Sequence, residues 1–229
     1  MQCGNNLKQF ALAMHNYEST HRALPIGLVA TSRGPNPSSA WPGHTAHTQL
    51  LPFLEQGSLH AQYDSSVRSL DATNRPVLLT SVATFLCPAD MNSGSPTPNP
   101  PSPGYARSNY VVSFGTNTYL RNTNGVNIMS TTNRAGVDMT TDGAFQMDVA
   151  RRFSAFKDGT SSSVVASEVI AGADHSPNGS DWDTRGVWAI HHMGAFCYTH
   201  LNTPNSSAGD ALFRSSGYAR CVEVLPQLP

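Results

Sequence analysis

The sequence predicts an α+β domain in which one N-terminal α-helix packs on a mainly antiparallel β-sheet decorated by long loops rich in proline and glycine. Three observations lead there. Apolar Leu7, Phe10, Ala11 and Met14 fall at i, i+3, i+4 and i+7, a single helical stripe, with Lys8, Gln9 and Asn16 left for water. Downstream the apolar runs shorten to strand length and are bounded by Gly, Pro, Asn and Asp. The 229 residues include 18 Gly and 16 Pro but only 13% charged residues, which suits a loop-rich extracellular domain better than a helical cytosolic enzyme.

The elements follow in order. Asn5 or Asn6 is placed to cap the first helix, which ends between Tyr17 and His21, because the residue before Pro25 is driven to an extended conformation. Residues 31–43 hold three prolines and two glycines and form a loop. Residues 49–56 read as a short helix with Pro52 in its first turn, where the missing N–H costs little. Residues 74–84 read as another, capped by Asn74 with Pro76 near its start. The proline-dense stretch 91–104 is an exposed linker. Strands are expected at 108–114, 143–147 and 164–170, the last preceded by a turn at Asp158-Gly159. A hairpin is expected from 187–190 and 194–199 around His191-His192-Met193. One domain spans 1–229, without internal repeats.

Composition excludes some partners. A formal net charge of -1 leaves no basic stripe for nucleic acid or an anionic membrane surface. No apolar run reaches 18 residues and no segment reads as a signal peptide, so the chain as given is expected to be soluble. The G-x-S-x-G, H-E-x-x-H, G-x-x-x-x-G-K-[ST] and G-x-G-x-x-G patterns are all missing. A serine triad would have to be assembled in space.

The four cysteines, Cys3, Cys87, Cys197 and Cys221, include no C-x-x-C pair, which argues against a zinc knuckle. Of three pairings we favour Cys3–Cys87 with Cys197–Cys221, the first tying the helix to the sheet and the second closing a loop of moderate length. Four buried thiols are the alternative.

Three constellations carry candidate chemistry. His191, His192, Cys197 and His200, near Asp181 and Asp183, offer ligands suited to a transition metal such as zinc or copper. In an extended strand His192 and His200 stand roughly 27 Å apart, so only a turn could bring them together; exposed loop histidines are the plainer reading. Asp158, followed by Gly159 and hydroxyl residues 160–163, together with Glu168, could hold a structural calcium through oxygen ligands, or the run could simply turn the chain into a strand. Trp182, Asp183 and Trp188, with Tyr198 and Asn205, could present an aromatic and polar face to a carbohydrate, although core tryptophans explain the same residues. No other cofactor is indicated.

The words of the sequence add a resemblance. Cys3-x-Asn5-Asn6-Leu7-Lys8-Gln9 followed by Ala13-Met14-His15-Asn16-Tyr17 resembles a large bacterial family of unknown function, abundant in planctomycetes, with prepilin-type cleavage and methylation N-termini. Further matches run in order: Leu50 to Gln56, Phe85-Leu86-Cys87-Pro88-Ala89-Asp90, Ser108-Asn109-Tyr110, and Phe156 to Ser163 leading to Glu168. The resemblance implies a pilin-like or pseudopilin-like fold in which residues 1–21 are the lower part of a helix whose apolar upper part precedes Cys3. It implies a secreted or envelope-anchored head, non-catalytic, structural or solute-binding, whose partners are further copies or secretion and pilus components, and which meets the membrane only through the upstream helix. Family members also continue past residue 229 into a segment with a His and an Asp-Gly pair, absent here. From a different class, a secreted hydrolase acting on esters or glycosides through residues 181–210 is the alternative expectation.

Overall fold

The structure, a computed structural model, describes residues 2–29, 43–94, 104–115, 141–172, 185–190 and 195–198. It is an α+β arrangement: one long helix, several short helical turns and two small sheets. No helix among the described residues is long and apolar enough to cross a membrane.

Helix α1 runs Gln2–His21 and buries Phe10, Ala13 and Met14. With half-buried Tyr17 these fall at i, i+3, i+4 and i+7, so the contact stripe is rotated slightly from the expected one: Ala13 takes the central place and Ala11 lies at its margin. Phe10 is the anchor, with ring centroids of His47, Phe85 and Tyr110 at 5.2, 5.9 and 6.2 Å. Burying such a ring contributes about 2–3 kcal/mol. Neither Asn5 nor Asn6 caps α1, because the helix has already begun at Gln2. Its C-terminus is closed by Arg22 in the left-handed region, φ 60°, whose N–H reaches Glu18 O at 2.6 Å.

Strands β1 (Leu28–Val29) and β2 (His44–Thr45) pair antiparallel. Helix α2 (Ala46–Leu50) passes directly into a 3-10 turn, Leu51–Leu54, with Pro52 at its start. The predicted 49–56 helix therefore begins earlier and tightens at its end, placing Leu50, Leu51 and Leu54 in the core. Helix α3 (Gly57–His60) follows. The predicted 74–84 helix is broken into a 3-10 turn at Ala72–Asn74, helix α4 at Arg75–Leu78 and a 3-10 turn at Ala83–Phe85. Asp71, not Asn74, supplies the cap, accepting from Thr73 N at 3.0 Å. Asn74 is wholly buried and clasps the preceding loop, accepting from Asp64 N and donating to Asp64 O and Arg68 O.

The second sheet has strand β3 (Tyr110–Ser113) at its centre. Strand β4 (Ala166–Glu168) pairs antiparallel on one side and strand β5 (Cys197–Tyr198) parallel on the other. All four residues of β3 are buried, as expected of a strand covered on both faces. Two predicted strands take other forms. Residues 143–147 make separate backbone contacts to the end of β3 and to Leu28 but no strand. The chain crosses the end of β3 closely here: Gly143 N donates to Phe114 O at 3.1 Å, and a Cβ at Gly143 would collide with the Phe114 backbone. The described parts of the predicted 187–190 with 194–199 hairpin form no ladder with each other: Val187 bridges Arg107 while β5 joins β3, and Gly186 N donates across to Ala195 O at 3.0 Å. The connecting residues 191–194 and the proline-rich 95–103 lie outside the described residues.

One apolar core gathers side chains from every part of this arrangement, from Phe10 through Leu50, Phe85, Tyr110 and Phe145 to Trp188 and Phe196.

Candidate functional site

The first turn of α1 is fastened to the body by three independent devices. Cys3 and Cys87 form a disulfide across 84 positions of sequence, with Cα atoms 4.6 Å apart. Tyr110 Oη donates to Cys3 O at 2.8 Å. Asn6 Nδ2 donates to Leu86 O at 2.7 Å, a use of Asn6 quite different from capping. The Tyr110 phenol stays protonated and able to donate, because burial first and the Glu168 charge second push its pKa up to about 12.

Behind this fastening lies a polar hub built from two of the sequence landmarks, Cys87-Pro88-Ala89-Asp90 and Ser108-Asn109-Tyr110. Asn109 is wholly buried. Its Oδ1 accepts from Cys87 N at 2.8 Å, and its Nδ2 donates to Asp90 Oδ2 at 2.5 Å and Val169 O at 3.0 Å. Its main chain donates to Phe85 O and accepts from Val169 N, each at 2.7 Å. Asp90 Oδ2 also accepts from Ala171 N at 2.8 Å. One amide therefore interlocks the segment carrying Cys87, the start of β3 and the end of β4. Sequence reasoning used these motifs only as landmarks; a signal was there, an Asn directly before the apolar run Tyr110-Val111-Val112.

Two histidines that sequence reasoning passed over are buried in the core. His47 Nε2 meets Tyr110 O at 2.8 Å. A carbonyl only accepts, so Nε2 carries the proton and Nδ1 is the bare acceptor. Among the described residues Nδ1 has no hydrogen-bond partner, and neither has Trp188 Nε1. Burial pulls the His47 pKa down to about 4, opposed only by its bond to Tyr110, so the ring is neutral near pH 7. His44 Nδ1 lies 2.6 Å from Tyr63 Oη, and burial lowers its pKa as well. Their spacing, His44-x-x-His47, was visible in the sequence. Chemically, each buried imidazole is turned toward a carbonyl or a phenol rather than a serine hydroxyl. Ser108 Oγ is engaged with the backbone of Tyr110 as both donor and acceptor.

The residues singled out from sequence fall as follows. Asp181, Trp182, Asp183, His191, His192, His200, Asn205 and Cys221 lie outside the described residues. Trp188 is a core residue, 0% exposed, with its ring 5.7 Å from Phe85, so it offers no stacking face to a sugar in solvent. Cys197 is buried in β5, and its expected partner is not described. Asp158 is exposed in the turn before Gly159, whose φ is 84°. Glu168, exposed on β4, stands instead beside the disulfide: a carboxylate oxygen and the sulfurs of Cys3 and Cys87 all lie within 4.8 Å of one another.

No curated protein and no solved structure matches the chain. The model of a family described as "Protein of unknown function (DUF1559)" matches residues 1–222. With that match extending over nearly all of its 229 residues, the chain belongs to the DUF1559 family.

Proposed function

We propose that this chain is the head of a pilin-like, envelope-anchored protein, non-catalytic, in which α1 continues from an apolar helix upstream in the precursor and hands mechanical load to the sheet. The observation that carries the reading is the triple fastening of the first turn of α1. A surface helix held only by its apolar stripe peels from its end turn by turn. Here the end itself is joined covalently to Cys87 and by hydrogen bonds to Leu86 and to the central strand residue Tyr110. Pull applied at the N-terminal end of α1 therefore reaches the core without first unzipping Phe10 and Met14. The order of the sequence landmarks, which follows that of proteins with prepilin-type N-termini, supports the same reading. The partners are further copies of the chain or components of an envelope secretion or pilus system.

The test is to fractionate cells that express the natural gene and follow the protein with an antibody raised to residues 43–94, on reducing and non-reducing gels. The protein is expected in the envelope or in sheared filaments, with Cys3 and Cys87 oxidised. Recovery from the cytosol with both thiols reduced would refute the proposal.

A further inference from the structure

We infer that Cys3, Cys87 and Glu168 form a binding site for a thiophilic divalent cation, zinc above all, in the reduced chain, so that a metal and the disulfide are alternative occupants of one place. The reading does not depend on the pilin-like proposal. The three ligand atoms lie within 4.8 Å of one another and come from three separate elements: the first turn of α1, the segment after the 83–85 turn, and β4. Two thiolates and a carboxylate are a ligand set that zinc accepts, at about 2.3 Å for sulfur and about 2.0–2.2 Å for oxygen. Tetrahedral geometry then sets ligand atoms about 3.5–3.8 Å apart, inside the 4.8 Å within which the three atoms lie, so once the bond is opened only a small adjustment is needed. Cys3 is able to make that adjustment, being half-exposed in a terminal helical turn. Cys87 stays put, because its N–H is held by Asn109. Glu168 lies on the exposed side, which leaves the fourth coordination position to water.

Each fate of the thiols balances. Metal capture is Zn2+ plus two Cys–SH giving a zinc dithiolate and two protons, with the Glu168 carboxylate as the third ligand. Oxidation is two Cys–SH giving the disulfide, two protons and two electrons, the electrons passing to a disulfide oxidant such as glutathione disulfide. A chain that has bound zinc withholds its thiolate lone pairs from that oxidant. The metal therefore delays closure of the covalent fastening.

The experiment reduces the purified chain with a water-soluble phosphine, which takes up the oxygen of one water as the disulfide becomes two thiols, and then removes the reagent anaerobically. Zinc alone is titrated against a chromophoric chelator into the reduced chain, the oxidised chain, Glu168→Gln and Cys3→Ser, with near-ultraviolet circular dichroism reporting the fold of each. The reduced chain is expected to take one zinc with submicromolar affinity, the oxidised chain and Cys3→Ser none of that affinity, and Glu168→Gln at least about tenfold weaker binding. The oxidised chain controls for adventitious binding by the nine histidines. One equivalent of zinc is also expected to slow oxidation by glutathione disulfide about tenfold or more in the wild type. Equal binding by the oxidised chain, wild-type affinity in Glu168→Gln, oxidation unaffected by zinc, or a reduced chain that zinc leaves unfolded would each overturn the inference.

Discussion

Removing the Cys3–Cys87 bond is the sharpest test of how the fold is held. The link closes a loop of 84 positions, and in the chain-entropy description a loop of that length restricts the unfolded state by about 4.6 kcal/mol. That value is an upper figure, because residual structure in the denatured chain reduces it. Two perturbations separate the cross-link from the side chains. Chemical reduction of the wild type opens the bond and keeps both sulfurs; Cys3→Ala with Cys87→Ala also empties the buried Cys87 site, which adds about 1 kcal/mol. Urea unfolding followed by tryptophan fluorescence and far-ultraviolet circular dichroism reads the difference. With a slope of about 2 kcal/mol per M, reduction is expected to lower the midpoint by about 2 M. The hydrogen bonds from Tyr110 and Asn6 remain in the reduced chain, so α1 should keep its helical signal in the absence of urea. A loss below about 1 kcal/mol would refute the reasoning, since it would mean that α1 is held by its stripe and hydrogen bonds alone.

Other outcomes follow from single residues. His47 has a pKa near 4 when folded against 6.5 as its ordinary value, so the unfolded chain binds more protons between these limits; stability is complete above pH 6.5 and falls as pH drops, by about 2 kcal/mol at pH 5 and roughly 3 below pH 4. In His47→Gln, whose amide can still donate to the Tyr110 carbonyl, that part of the urea midpoint's pH dependence should vanish; an imidazole that titrates near 6.5 by NMR contradicts the assignment. Asn109→Ala deletes three side-chain hydrogen bonds and strands the Cys87 N–H, so a loss of about 3–4 kcal/mol is expected in urea. Asn109→Asp should fare no better, because a carboxylate cannot donate to Asp90 Oδ2 or Val169 O and leaves both acceptors unpaired by this side chain. Phe10→Ala should cost about 3–5 kcal/mol and Leu12→Ala less than about 0.5, because Phe10 is fully buried and Leu12 is 51% exposed; similar midpoints would mean that α1 packs in another register.

The long helix was legible because twenty residues repeat one pattern, although the pattern alone did not distinguish Ala11 from Ala13 as the contact residue. That choice belongs to what packs opposite. The strands were harder, since elements of two to four residues carry too few alternations to show a period, and the parallel partnership of β3 with β5 links residues 85 positions apart. Asp90 and Asn109 were hidden by their residue types, which read locally as turn formers; their partners lie 19 to 81 positions away. The histidines were read by clustering. That drew the eye to His191, His192 and His200, which lie outside the described residues, whereas the buried His44 and His47 announce themselves only through apolar neighbours. The pairing of Cys3 with Cys87 was legible because a terminal helix needs a fixed point.

The partnership of β3 with β5 also sets a clock. Val112 faces Cys197 and Ser113 faces Tyr198, so the central strand lacks one neighbour until residue 198 is available. A ribosome adding about 5–20 residues per second needs roughly 10–35 s to travel from the end of α1 to that point. Throughout that interval Phe10 and Met14 have no finished surface to cover them. The sheet at the centre of this core can therefore be completed only once residue 198 is present, and the elongation rate sets how long the apolar stripe of α1 stands uncovered before then.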